Sequence, residues 1–502
     1  MNSASSALLP ILNNPETSSK KSCSSGCGTG TTSEQAYKLS ELYKELETVL
    51  QSTKPSSGAI PEPFVKQPGL ELGKNSAVFS MHEPVPLVSQ IVHHEIDGKH
   101  LWVGVMEAAV LALGDEQNRV MQSLVDGKSP MAVARAIAGG DAPPAWNQVS
   151  TVIGKMAKAG FIKGIRGYVE QRPATPEKFS RFRLTKACQL ECIHCYADSS
   201  PHVDRSDELP TERWQKLAID FSKNGGESIL FTGGEALMHK GCLDIMRTVR
   251  DAGMKVTLFS NGILIPKYAR EIHELADSVQ ISLDGPDAAT NDLVRGTNTY
   301  KKIIKAIDLL VAQGTPTRIG MSVMLQNWES WKEGFLEFAS RYANSSVEFR
   351  LSFGLTHYGR AESLAPIAVD DVQPVAQAFM EKMNKTPAPQ ITRVTKGCGY
   401  CEQLVVGPDG TVYPCHLLDA PMCHIDDYPV PVLIDILNRT AGKFDVDHVE
   451  GCNRCEIRYL CGGTCRVMDS HEKGSRLITT CDAQEKGRKL RNLTHTYAQE
   501  TM

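Results

Sequence analysis

The chain has 502 residues, 41% hydrophobic and 22% charged, with 54 Lys+Arg against 58 Asp+Glu and a formal net charge of -4. That length exceeds one core and predicts about two to four domains. The acidic balance excludes a globally basic nucleic-acid binder, and no apolar run approaches the roughly 20 residues of a membrane span.

The N-terminal apolar run ALLPIL is broken by Pro10 and lacks a basic flank, so no secretory leader is expected. Residues 1–75 read as a flexible extension. SSKKSCSSGCGTGTTS is Ser/Gly-rich and KPSSGAIPEPFVKQPG is Pro/Gly-rich; between them SEQAYKLSELYKELETVLQ has helical periodicity behind a Ser33 cap. Residues 76–170 read as a small α/β domain. IVHHEI, Asp97-Gly98 and KHLWVGV signal a hairpin, helical patterns follow at 106–125, 129–138 and 145–159, and FIKGI closes the unit as a short strand. Three helices with a β-wing have winged-helix form, whose ordinary partner is DNA. Eight Lys/Arg against nine Asp/Glu here argue against that, because DNA affinity comes from phosphate neutralisation.

Residues 178–390 alternate strand and helix. The strand candidates are RFRLT, ESILFTGG, KVTLFSNG, SVQISLDG, TRIGMSVML and SVEFRLSFG; the helices are 211–224, 240–252, 265–276, 299–313 and 327–343, with another at 371–385. Apolar runs joined by amphipathic helices mean parallel strands with right-handed crossovers. Six units are too few for a closed eight-unit barrel, so a partial (β/α)6 barrel is expected, with ligands at the C-terminal strand ends.

Of 15 cysteines, nine fall between 398 and 481. In a long chain without a leader, a reducing cytoplasm is expected, and clustered Cys there bind metal. Zinc is the ordinary reading of CxxC pairs; iron–sulfur clusters are the sharper one. RFRLTKACQLECIHCYAD places Cys188, Cys192 and Cys195 directly after the first barrel strand. Three thiolates leave the fourth iron of a [4Fe–4S] cluster open to chelate the amino and carboxylate groups of a cofactor.

With this CxxxCxxC, the chain resembles the radical S-adenosylmethionine superfamily. Further motifs follow in the family's order: FTGGEAL (231–237), LFSNG (258–262), QISLDG (280–285) and VRG (294–296). The resemblance implies cofactor contacts at His194, Gly233, Gly234, Glu235, Ser260, Asn261, Ser282, Asp284 and Arg295. The alternative for Gly233-Gly234 is a plain turn, and for Arg295 a surface charge at a helix end.

GCGYCEQLVVGPDGTVYPCHLL supplies Cys398, Cys401 and Cys415; EGCNRCEIRYLCGGTCRVMDS supplies Cys452, Cys455, Cys461 and Cys465; Cys481 follows. The string resembles the SPASM domain over 391–490, leaving 491–502 as a tail. That resemblance implies two auxiliary [4Fe–4S] clusters, and three in all. Cys452, Cys455, Cys461 and Cys481 would hold one; Cys415, Cys465 and Cys398, Cys401 or both would hold the other. If both ligate, the inner cluster is closed; if one is free, it is open to a substrate thiolate. His416 is a candidate acid/base residue. Cys242 reads as a core thiol, Cys423 as a loop thiol, and Cys23 and Cys27 as a tail pair.

Residues 76–170 resemble the PqqD-like element that binds leader peptides by strand addition. Together the three parts imply a maturase for a ribosomally made peptide or protein, similar in layout to the quinohemoprotein amine dehydrogenase maturases. A cysteine thioether is the favoured product. Carbon–carbon crosslinking, epimerisation, sulfatase-maturase-like oxidation and action on a small molecule or tetrapyrrole are the alternatives. A precursor peptide and an electron donor such as flavodoxin or ferredoxin are the implied partners; nucleic acid and membrane are not.

Overall fold

Asp97 and Gly98 take positive φ, 50° and 67°, the backbone of a tight two-residue turn. They join β1 (Ile91–Ile96) to β2 (Lys99–Gly104) with Ile96 opposite Lys99, and β3 (Ala109–Leu113) completes an antiparallel sheet of order β1-β2-β3. Helices α1 (Asp115–Val125), α2 (Pro130–Ala138) and α3 (Trp146–Ala159) follow. Ser129 caps α2 by accepting from the Ala132 N–H, with Pro130 at the first helical position. The expected helix over 106–125 is corrected in its first half. AVLAL is a strand buried on both faces, and a two-sided apolar run carries no period to tell strand from helix. The FIKGI strand reduces to a single bridge between Ile162 and Leu87.

The computed structural model describes residues 80–499, apart from 140–144, 165–168, 171–177, 344, 354–357, 366, 368–371, 373–391, 394 and 419. The helix after Ser33, Cys23, Cys27 and nearly all of the 371–385 helix lie outside the described residues. A two-residue strand, β4 (Val169–Glu170), leads to the second sheet.

That sheet is built from β5 (Phe179–Arg183), β6 (Ser228–Thr232), β7 (Lys255–Ser260), β8 (Ser278–Ser282), β9 (Thr317–Val323) and β10 (Glu348–Phe353). All six expected strands are present, parallel and in sequence order. The crossovers carry α4 (Thr211–Lys223), α5 (Cys242–Asp251), α6 (Ile265–Leu275), α7 (Ala288–Arg295), α8 (Tyr300–Ala312) and α9 (Trp328–Ser340). Helix α7 was not anticipated from periodicity. Asp287 caps it by accepting from the Thr290 N–H.

A short β11 (Thr392–Arg393) pairs with β4. The hairpin β12 (Leu404–Val406) and β13 (Thr411–Tyr413), followed by β14 (Cys423–His424), does not stand apart from the barrel. Strand β12 pairs in parallel with β5, so the sheet runs β10-β9-β8-β7-β6-β5-β12-β13-β14. Ser180 Oγ donates to the Leu404 carbonyl at 2.7 Å across this junction. Helices α10 (Val430–Lys443), α11 (Arg458–Cys461), α12 (Arg466–Lys473) and α13 (Ala483–Gln499) complete the described chain. The 491–502 segment read as a tail is therefore mostly helix, with Leu490, Thr494 and Tyr497 buried.

The antiparallel sheet is covered on both faces. Trp102, Leu111 and Leu113 pack on α1 and α3 through Val120, Met121, Val149, Val152 and Met156. Leu101, Val103, Val110 and Ala112 pack on Ile457, Leu490 and Tyr497. At the rim, His94 pairs with Glu456 at 3.1 Å and Asp97 with His495 at 3.2 Å. Among the described residues no helix is long and apolar enough to cross a membrane.

Candidate functional site

The loop after β5 carries the first three cysteines to the C-terminal ends of the parallel strands. Cys188 and Cys192 are buried and Cys195 half-buried. Neighbouring backbone fixes the loop: the Cys188 N–H donates to the Ser200 carbonyl and the Ile193 N–H to the Val294 carbonyl. Arg360 ties it from outside. Its Nε donates to the Cys192 carbonyl at 2.9 Å, its Nη2 to the Ser199 carbonyl at 2.8 Å, and its Nη1 pairs with Asp198 at 2.7 Å. Sequence reading missed Arg360. Its partners are mostly carbonyls more than 160 residues away, which leave no side-chain signal.

The glycines of FTGGEAL serve close packing. A Cβ on Gly233 would lie 2.3 Å from the Thr185 carbonyl oxygen, and one on Gly234 would lie 2.3 Å from that of Ala187. The Gly234 and Glu235 N–H groups donate to those two carbonyls, locking the end of β6 against the cysteine loop. Glu235 is fully buried and turns inward. It accepts from Ser260 Oγ at 3.0 and 3.1 Å, from the Asn261 N–H at 2.8 Å and from the Leu237 N–H at 3.3 Å. Asn261 in turn contacts Cys188 Sγ at 3.5 Å through Nδ2. Glu235 thus joins two strand ends behind the cysteines.

Burial raises the Glu235 carboxyl from 4.5 to about 7. Its contribution to stability is full below 4.5 and is lost as pH rises through 7. Gln would set an NH2 against a backbone donor, so Glu235→Gln should cost about 1–3 kcal/mol at low pH. The deficit should narrow toward pH 8, and urea unfolding at both ends of that range would check it.

Asp284 closes the other side. It is fully buried; His194 Nε2 and Arg295 Nε both reach its Oδ2 at 2.7 Å, and the Ser322 N–H donates to Oδ1 at 2.8 Å. Burial would raise this carboxyl, but Arg295 and His194 outweigh it and hold it well below the usual carboxylate range. Arg295 is therefore no surface charge: it is buried, and its Nη1 lies 4.0 Å from Cys192 Sγ. Ser282, at the end of β8, is half-buried beside this group.

The later cysteines form two groups. Cys452, Cys455, Cys461 and Cys481 line one cavity of about 280 Å3, with Lys486 and Lys489 on its wall. Lys489 Nζ sits 3.1 Å from Cys461 Sγ. Cys398, Cys401, Cys415 and Cys465 are near enough to perturb one another's ionisation. Cys398 hydrogen-bonds Cys465 and lowers it to about 7. A buried Arg466–Asp469 pair at 2.6 Å sets Cys465, while Asp469 also accepts from the Thr480 N–H beside Cys481.

His416 adjoins Cys415 and lies edge-on to Tyr196, with ring centroids 6.4 Å apart. Burial, then Arg181, Arg183 and Arg350, push its ring down to about 3, so it stays neutral. Cys242 is a buried core thiol against Met246, and Cys423 lies in β14, paired across to Val412.

These donor sets fit iron–sulfur clusters. Thiols gather in threes and fours, one set of four lines a cavity, and beside the first set His194 Nδ1 and Gln189 Oε1 are enclosed without hydrogen-bond partners among the described residues. No three His, Cys, Asp or Glu side chains among the described residues converge as a single metal ion requires.

Comparison with known proteins agrees in part with this picture. The Radical SAM superfamily profile matches residues 182–337. The AdoMet-dependent heme synthase of Nitratidesulfovibrio vulgaris is 26% identical, over 60% of this chain and 90% of that protein. The subtilosin biosynthesis protein AlbA of Bacillus subtilis is 28% identical, over 47% and 54%. The crystal structure of Streptococcus suis SuiB bound to S-adenosylmethionine aligns at 15% identity and a TM-score of 0.49, over 79% of this chain and 99% of that one.

Proposed function

We propose that this radical S-adenosylmethionine enzyme matures a ribosomally made peptide or protein by an oxidative crosslink, with a cysteine thioether as the favoured bond. One observation carries the reading. A cysteine-bearing barrel, two further cysteine groups and an antiparallel sheet whose β1 edge is unpaired among the described residues belong to one packed unit, which action on a small molecule does not require.

Cys188, Cys192 and Cys195 would hold the cluster that binds S-adenosylmethionine, and the two later groups would hold auxiliary clusters. When bound, these groups supply one-electron chemistry that abstracts hydrogen from an unactivated carbon and accepts the electron released on bond formation. The chain's own residues do the rest. Arg360 and the Gly233–Glu235 turn hold the cysteine loop, Asp284 pairs with His194 and Arg295 beside it, and His416 is the candidate acid/base residue next to the inner cysteines, a weak base in this setting.

The precursor would pair along β1, which bonds β2 on one side and no strand on the other among the described residues. Deleting 76–170 would be a poor test, since it strips the apolar cover from Ile457, Leu490 and Tyr497. Hydrogen exchange on the full chain is better. Adding the peptide encoded nearest its gene should protect amides 91–96, and co-expression should yield that peptide lighter by two hydrogens per crosslink. Crosslinking without protection of β1 would remove the docking assignment; an unmodified peptide would remove the maturase reading.

The likeness to heme synthases favours a second reading, action on a tetrapyrrole. It requires no loss of hydrogen from any peptide.

A further inference from the structure

Side chains of the barrel strands alternate between helices and interior. Val279, Ile281, Ile319 and Met321 are buried against the helix layer. The opposite row carries Arg181 and Arg183 on β5, Phe259 on β7, Gln280 on β8, Arg318 on β9, and Glu348 and Arg350 on β10, by the registers that join these strands. The contacts agree: the Arg181 guanidinium lies 6.0 Å from the Phe259 ring centroid, and Gln280 lies across Gly320, the partner of Arg350. The sheet also curls enough that Arg350, on its edge strand, acts on both Arg181 and His416.

This row is rich in arginine, and among the described residues its one carboxylate, Glu348, is held by Arg318 at 2.8 Å. Burial most disfavours the Arg181 charge, and Arg350 and Arg183 lie near enough to add to that. Arg181 Nε and Gln280 Oε1 are enclosed without hydrogen-bond partners among the described residues. Gathering guanidinium groups in a partly enclosed space is costly unless an anion joins them, and the guanidinium fork matches a carboxylate in two-point fashion. Arg295, the charge expected to meet the cofactor's carboxylate, is already engaged by Asp284.

We propose that the barrel interior binds a carboxylate of the substrate between Arg181 and Arg350. The choice of carboxylate over other anions rests on the reading above, since peptides and tetrapyrroles both carry it. An acidic residue of a peptide and the acid side chains of a tetrapyrrole share this chemistry.

The test uses the full chain with its clusters assembled, under anaerobic conditions. Four probes are titrated: a glutamate-rich peptide, its glutamine counterpart, coproporphyrin III and its tetramethyl ester. At least one acidic probe should bind ten times more tightly than its neutral counterpart, and Arg350→Gln should remove most of that preference. Arg181→Gln should do the same; Arg350 is the safer site because it lies exposed on an edge strand. The acidic probe that binds identifies the source of the carboxylate.

Equal binding of acidic and neutral members in both pairs, or a preference that survives Arg350→Gln, overturns the proposal. So does a loss of S-adenosylmethionine affinity in the variants with probe preference intact, which would give these arginines to the cofactor. Peptide mass in wild type is scored separately, so the maturase reading can fail while carboxylate binding stands on the porphyrin pair.

Discussion

Chains carrying Cys188→Ala, Cys192→Ala and Cys195→Ala together should fold, bind about eight irons in place of about twelve, and form no 5′-deoxyadenosine. Apart from long contacts to Cys188 and Cys192 Sγ, the loop does not depend on its thiols for shape. It is held by Arg360, by the Cys188 and Ile193 amides and by the Gly234 and Glu235 amides, all through backbone atoms that alanine keeps. The eight cysteines of the two later groups lie elsewhere, four of them around one cavity. The loss should therefore be confined to one cluster and to cofactor cleavage. Iron analysis and chromatography of the nucleoside check both. An unchanged iron content, or persistent cleavage, would sink the assignment of these three cysteines.

The second large effect is expected at Asp284→Ala. Removing the carboxylate leaves the buried Arg295 guanidinium without its counter-charge and releases His194. Breaking a buried pair on one side typically costs about 3–5 kcal/mol. Because the Asp284 carboxyl is depressed, its contribution is present above its ordinary value of 3.8 and is lost only as pH falls through the lower folded value. The deficit should therefore be flat between pH 6 and 8 and shrink in acid. Adding Arg295→Gln should recover part of the stability, since both charges are then gone. Urea unfolding of the single and double variants measures it; a double variant no better than the single would mean that the pair is not the source.

The parallel strands were legible because apolar runs alternate with amphipathic helices and the first four runs end in motifs with their own chemistry; the six runs recur as β5 to β10. Three features were not. The run AVLAL is apolar throughout, so no period separated strand from helix. The attachment of β12 to β5 depends on a pairing of residues more than 200 apart, with no trace in local pattern. The site's polar frame was half visible. Glu235, Asp284 and Arg295 stood out by motif, but their mutual roles emerge only from burial: two of these charges neutralise each other, and the third braces two strand ends. Arg181 and Arg350 drew no attention because single arginines in strands carry no signature until the strands curl together.

The shared cover of the antiparallel sheet has a consequence in time. Asp97 meets His495 across 398 residues of sequence, and Leu101 and Val103 are roofed by Leu490 and Tyr497 in the same region. At a synthesis rate of about 5–20 residues per second, the sheet waits roughly 20–80 seconds on the ribosome with one apolar face bare. Slow growth in the cold lengthens that wait, so yield should be limited by capture of this face during translation, and a chaperone that shields nascent strands should raise it more than added iron does.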